Sequence, residues 1–401
     1  MLRISDISFQ NTAIFFENAI DIAEYYGFVH ETSAKPPDVP DEPQLSAPPK
    51  RRRINARDIS LTRKDERSLL SVVNTCSNRG IGTTNAPSFI WRKGPTIRAD
   101  GNRSTSLELH ILGVPTPVAE ALLLTITSAI AKEAGIVSFT TYLNSIGTEE
   151  SSMRLLRDVS NYLRKHAGDV PGTLRPSILR DPLGALAQLA EKNSSLLERA
   201  PASLEYLNED ERKHFWDLLE YLETANVYYE LNHRVLGSRD CWAHTLFDVY
   251  YTNTDEKHVP FARGGRYDTL IKKAMGEESA GAFVAISCEM KGRTSFNHRR
   301  SQKQATTYFA HLGIEARRKS MALLEALRTA HIRVHQSLAH EYIADQMQVA
   351  KGLNVSHMII MGHKEASEGT VLVRDTRTNA QEPVPVDILP GYLKRRKIGT
   401  H

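Results

Sequence analysis

Phe15, Phe16, Ala19, Ile22, Ala23 and Tyr26 recur at helical spacing and are followed by Gly27, which predicts an amphipathic first helix with a glycine cap. The stretch from Lys35 to Pro49 carries Pro36, Pro37, Pro40, Pro43, Pro48 and Pro49, a composition that excludes a regular helix or a central strand and reads as an extended surface loop. Arg67 to Cys76 predicts a second helix. Ser88–Ile97 and Ser106–Val114 are strand-like around the turn signal Asp100-Gly101-Asn102, which predicts a hairpin. After Pro115 and Pro117, the Ala-, Leu- and Ile-rich run Val118–Ala134 predicts a buried helix that stops at Gly135. Helical periodicity dominates from Glu149 to about Ala225, and strands resume at Trp242–Tyr251, Val259–Ala262 and Ala282–Ser287. Beyond about Gln304 the elements alternate: strand Thr307–Leu312, helix Ser320–Ala330, strand Ile332–His335, helix His340–Gly352, strand His357–Met361, then Val371–Arg374. Such alternation predicts a parallel α/β sheet in a separate C-terminal domain.

Composition narrows the class. A chain of 401 residues with 41% hydrophobic and 24% charged positions has the makeup of a multi-domain globular protein. No apolar run approaches the roughly 20 residues that span a bilayer. Asp6, Glu17, Asp21 and Glu24 interrupt the N-terminal apolar positions, unlike a signal peptide, so a cytoplasmic location without membrane contact is expected. Cys76, Cys241 and Cys288 are far apart and lack CxxC spacing, which predicts reduced thiols and no metal site. The net charge of +4 is small, but basic residues cluster at Lys50–Arg53, His298–Arg300, Arg317–Lys319 and Lys394–Lys397. Each cluster reads as solvated surface unless the fold gathers several on one face, where they could meet a phosphate backbone.

The segment Phe261-Ala262-Arg263-Gly264-Gly265-Arg266-Tyr267-Asp268-Thr269-Leu270 places two adjacent glycines in a strand-like run. Glycine weakens a strand interior, so the pair marks a bulge or a place where a ligand or another backbone comes too close for a Cβ.

This segment resembles the histidine-binding GGRYD motif of histidyl-tRNA synthetases, and the resemblance continues on both sides. Phe16-Glu17 through Gly27-Phe28 resembles that family's opening helix. Asn144–Gly147 with Arg154, Leu163 and His166 resembles the lead into its insertion domain. Ile332-Arg333-Val334, Gln346, Met358–Gly362, Glu365 and Gly369–Asp375 with Gln381 resemble its anticodon-binding domain. The resemblance implies an α+β architecture: a class II antiparallel core with helices on one face (1–148 and 236–300), a helical insertion (149–235), an α/β anticodon-binding-like domain (304–392) and a basic tail (393–401). It implies a histidine-like pocket at Asp240, Gly264, Gly265, Arg266 and Tyr267. Arg98 falls where the family's motif 2 arginine meets the ATP α-phosphate, and Asp100 and Glu108 fall where ATP and magnesium would be positioned.

Three departures bear on chemistry. Gly237 occupies the position of a catalytic arginine, and Arg239 lies two residues on, a displacement of about 6.6 Å along a strand. Met290 stands where a motif 3 arginine would stack on adenine, and methionine supplies neither charge nor a planar fork. Around Arg63-Lys64-Asp65-Glu66-Arg67, the proline and threonine of motif 1 are missing. A positioned cation that stabilises a charged transition state is worth roughly 3–4 kcal/mol. The expectation is therefore a homodimeric paralogue with little or no aminoacylation and a tRNA-binding or regulatory role. Two alternatives stay open. One is a divergent histidine-tRNA ligase using ATP, magnesium, histidine and tRNA, with Arg98, Arg239 and Lys291 in the charge roles. The other is a histidine-sensing subunit resembling that of ATP phosphoribosyltransferase, against which the stretch from Thr306 to Pro390 argues.

Overall fold

The computed structural model describes residues 9–34, 59, 61, 64–81, 87–97, 103–136, 138–192, 194–252, 256–276, 278–289 and 305–399. An eight-stranded sheet runs in the order β1 (Val29–His30), β2 (Ser88–Ile97), β3 (Arg103–Leu112), β8 (Gly281–Glu289), β7 (His258–Arg266), β6 (Ala243–Thr252), β4 (Phe139–Gly147) and β5 (Tyr229–Leu231). Neighbouring strands from β2 to β4 pair antiparallel, and the two short edge strands, β1 and β5, pair parallel. β2 and β3 form the expected hairpin.

Alternation along β3 sorts the two faces. Leu107, Leu109 and Ile111 join a core with α1 (Phe9–Tyr25), α3 (Val118–Glu133) and α7 (Glu209–Thr224). Ser106, Glu108 and His110 take the intervening, opposite-facing positions and are buried as well. The expectation of helices on one face is corrected here. A second core packs α2 (Lys64–Asn78), α4 (Glu149–Lys165), α5 (Arg175–Arg180), α6 (Pro182–Glu191) and α8 (Asp268–Met275) with Leu246, Tyr267 and Phe283. An antiparallel sheet that is apolar on both faces requires cover on both. α7 lies within the stretch expected as an insertion, yet it packs on α3 and on α9 (Ile314–Thr329).

The C-terminal sheet runs in the order β12 (Gln381–Pro385), β11 (Thr370–Asp375), β10 (His357–Met361) and β9 (Thr307–His311). Only β9 and β10 are parallel, so the sheet is mixed and not parallel as the alternation suggested. Connection length explains this: a parallel crossover needs a dozen or more residues, whereas β10 reaches β11 through the short helix α11 (His363–Glu368), and β11 reaches β12 by a turn. Ile332–His335 is not a strand either; His335 makes one isolated bridge to Tyr308. The helix expected from His340 is α10 (Ile343–Gly352). The expected basic tail begins as the end of α12 (Leu389–Arg396), where Leu393 and Ile398 are buried and the Gly399 carbonyl accepts from the Arg333 amide.

The two sheets share one apolar core through α9. Tyr25 donates to the carbonyls of Leu324 and Ile332, Tyr26 donates to Glu325 at 2.7 Å, and Gln336 donates to the Tyr26 carbonyl. Among the described residues no helix is long and apolar enough to cross a membrane.

Candidate functional site

The resemblance places a pocket on the sheet face covered by α2, where the protein's own side chains meet. Glu66 of α2 is fully buried and accepts from the Ser238 amide at 2.9 Å, the Ser238 hydroxyl at 2.6 Å and the Trp242 indole N–H at 2.8 Å. Trp242 and Phe283 lie beside each other, with ring centroids 6.0 Å apart. At Gly237, a Cβ would sit 2.1 Å from Trp242 Nε1. The position that resembles a catalytic-arginine site is thus closed by an indole.

The glycine pair is explained by the same packing. A Cβ on Gly264 would lie 2.1 Å from the Phe283 carbonyl and 2.5 Å from the Phe247 ring. On Gly265, which has φ +152°, it would lie 2.4 Å from the Thr245 carbonyl and 3.2 Å from the Trp242 ring. The close neighbours at both glycines are the protein's own backbone and aromatic rings.

Arg266 points into a buried charge network. Its Nε donates to Glu120 Oε1 at 2.9 Å and its Nη2 donates to Glu120 Oε2, while the Val114 and Thr116 carbonyls and Asp268 accept from the remaining donors. His214 of α7 approaches the same carboxylate at 3.0 Å and stacks on His244, 4.4 Å away. Burial alone would raise the Glu120 pKa, but Arg266 and His214 overcome it and hold the group well below the carboxylate range. Tyr267 is buried with its hydroxyl 3.3 Å from His110 Nδ1, and burial, reinforced by nearby acidic groups, pushes its pKa far up.

Glu108 is likewise engaged internally. It lies 3.1 Å from Arg92 Nε, accepts from the Ser68 hydroxyl at 3.0 Å, and has His110 at 3.8 Å. Burial pushes its pKa up, but His110, Arg92 and Ser68 together bring it below the ordinary value. Arg239 and Asp240 do not join Glu108. Arg239 pairs with its neighbour Asp240 at 3.2 Å, and Lys273 pairs with Asp240 from α8. Asp181 accepts from the amides of Gly184 and Arg239, and burial raises its pKa despite those bonds, helped by the charges of Glu66 and Asp240. Arg98, Asp100, Met290 and Lys291 lie outside the described residues. Cys241 is a buried thiol, as is Cys76, whose pKa burial pushes up to about 11.

A cavity of about 10 Å³, lined by Val72, Cys76, Leu112, Tyr267 and Ile271, lies beneath this assembly. It is apolar and scarcely holds one water. The geometry as it stands therefore performs packing and charge neutralisation. Glu66, Ser238, Trp242, Glu120 and His214 carry it, and none of them was among the expected site residues. Trp242 with a glycine five residues earlier was a readable hint, but pairing Glu66 with residues more than 170 positions away needs the fold.

Residues 301–396 match the family described as "Anticodon binding domain". A chloroplastic histidine–tRNA ligase of Gracilaria tenuistipitata var. liui is 26% identical over 292 residues, covering 71% of this chain and 69% of the relative. The histidine–tRNA ligase of Symbiobacterium thermophilum is 24% identical over 338 residues, covering 81% of this chain and 77% of the relative. The crystal structure of apo S. aureus histidyl-tRNA synthetase matches the fold with a TM-score of 0.51 at 17% identity, covering 97% of both chains. The fold is that of a class II aminoacyl-tRNA synthetase, with a C-terminal anticodon-binding domain. Within that class, the chain is similar in sequence, over most of its length, to histidine–tRNA ligases.

Proposed function

We propose that this chain does not form an aminoacyl adenylate and instead serves as a cytoplasmic, homodimeric tRNA-binding or regulatory protein. The observation that carries this reading is the Glu66–Ser238–Trp242 assembly, which fills the space beside Gly237 with hydrogen-bonded side chains of the protein itself. Opening it for a substrate would strand a buried carboxylate and remove an aromatic ring from the core, both costly. The anticodon-binding domain supports a retained RNA role. The same reading makes Gly264, Gly265, Arg266 and Tyr267 scaffold residues, with ATP and magnesium not required.

The test is histidine-dependent ATP–pyrophosphate exchange by the purified, folded protein, run beside an active histidyl-tRNA synthetase, together with tRNA binding at several salt concentrations. Expected are no exchange above background and tRNA binding that weakens as salt rises. Exchange above background would overturn the proposal and make Arg98 and Arg239 the first residues to substitute.

A further inference from the structure

One face of α7 is in the core and the other is in solvent. Phe215, Leu218, Leu219 and Leu222 join the shared apolar core. On the opposite side Glu209, Arg212, Lys213, Trp216, Glu220 and Glu223 recur at helical spacing and are all exposed. Trp216 stands at the middle of this stripe, is 67% exposed, and has no ring or hydrogen-bond partner among the described residues. A single exposed leucine is ordinary on a surface, whereas tryptophan is concentrated at the centres of protein interfaces.

The charges on either side of Trp216 are opposite. Before it, Arg212 and Lys213 carry two positive charges and make no ion pair among the described residues. After it, Asp217 and Glu220 gather with Glu315 of α9 around Arg318, whose guanidinium lies 2.9 Å from Asp217 and 3.3 Å from Glu315 and also bonds Glu220. Three carboxylates share one guanidinium there, which leaves two negative charges in excess, as many as the cations on the other side. Glu209 and Asp210 lie in the first turn, where they meet the positive end of the helix itself.

We infer that this face of α7 docks a second copy of the chain, the two helices lying antiparallel across a two-fold axis at Trp216. That axis brings the two tryptophans together and sets Arg212 and Lys213 of each copy against the acidic cluster of the other. A face with opposite charges on either side of a central aromatic is its own complement, which a two-fold contact requires. Helices crossing in the commonest class, at about 50°, part towards their ends, so Glu209 and Glu223 of the two copies stay apart. Ile314, beside Glu315 at the start of α9, adds a half-exposed apolar side chain to the patch. One helix pair with its rim buries less than the roughly 800 Å² per partner of a stable complex, so the association is reversible. The inference stands apart from the proposed function, whose homodimer follows from likeness to relatives and assigns no face.

The experiment is sedimentation velocity of the full chain from about 1 to 200 µM. It compares the parent with Trp216→Ala, Lys213→Glu, Glu220→Lys and an equal mixture of the last two. Expected is a mass that rises with concentration in the parent, with a Kd of about 10 µM, and a loss of at least about tenfold in each variant alone. In the mixture, position 213 of each chain meets an opposite charge at position 220 of the other, so association returns. Trp216→Ala and Lys213→Glu change exposed side chains, and their melting temperatures should stay within a few degrees of the parent. The same mass for parent and Trp216→Ala at every concentration overturns the proposal. So does a mixture of folded variants that associates no better than its components. If Glu220→Lys, which removes a partner of Arg318, fails to fold, salt takes its place: association of the parent that does not weaken between about 0.1 and 0.5 M salt overturns the pairing.

Discussion

At the scale of single residues, the glycine pair and Arg266 carry the sharpest tests. Gly264→Ala would drive a methyl group into the Phe283 carbonyl and the Phe247 ring. Backbone on one side and a packed ring on the other leave little to move, so a loss of at least about 2 kcal/mol is expected from chemical denaturation. The same argument predicts that Gly237→Arg destabilises the fold and restores no chemistry, because the new side chain meets Trp242 first. Arg266→Met would leave Glu120, which has no exposed surface, with His214 as its remaining side-chain partner. Removing one partner of a buried pair costs about 3–5 kcal/mol, and the double change Arg266→Met with Glu120→Leu should recover much of that. Unfolding midpoints of the two singles and the double give the coupling. If Arg266→Met alone is neutral, the network contributes nothing to stability. Two readings were open for Gly264-Gly265 in the sequence, ligand approach and internal packing, because a missing Cβ does not say what lies against it. Only neighbours remote in sequence, Phe283 and Thr245 among them, decide the matter.

At the scale of elements, the bulge in β6 makes stability depend on acid. His244 has φ +48° where the β6 pairing shifts register. Burial, with His214 and Arg266 nearby, lowers its pKa to about 3, and burial beside Arg317 lowers His311 of β9 to about 3 as well. A folded state that keeps these imidazoles neutral takes up fewer protons than the unfolded chain. Their contribution is therefore intact above the ordinary value of 6.5 and is lost as the pH falls from there toward 3. Each contributes a slope of up to about 1.4 kcal/mol per pH unit. Glu120 and Glu108, both lowered, add to the loss at still more acidic pH. His244→Asn tolerates the left-handed backbone and removes one titrating group. Urea midpoints at pH 7.5 and 5 should differ less in this variant than in the parent; an unchanged difference would exclude His244 as a source. Elements with strong periodicity, such as α1 and α3, were legible from sequence. The mixed C-terminal sheet was not, because alternation reveals the order of strands and helices but not the direction of pairing, which short connections settle. The bulge itself left no trace in the pattern, since His244 sits in an otherwise regular strand-like run.

At the scale of the whole molecule, the anticodon-binding domain is joined to the synthetase-like core by apolar and polar contacts together. One continuous apolar core includes Leu122 and Ile126 of α3, Leu218 and Leu222 of α7, and Met321 and Leu324 of α9. Polar bonds rim it: Tyr26 to Glu325, Gln336 to the Tyr26 carbonyl, and Arg318 to Asp217 at 2.9 Å. A domain hinged on a polar linker would melt by itself, whereas a shared core couples the two unfolding equilibria. Calorimetry of the full chain is therefore expected to show one cooperative transition. Leu324→Ala, which opens a cavity inside the shared core, should cost about 2–5 kcal/mol and lower that single transition. Tyr26→Phe removes only the rim bond to Glu325 and should cost about 1 kcal/mol. The informative outcome is the shape of the trace. If Leu324→Ala splits it into two transitions with one left at the parent temperature, the C-terminal domain is an independent unit and the shared core adds little. If the single peak moves as a whole, any ligand held by the C-terminal domain would stabilise the entire chain and not that domain alone.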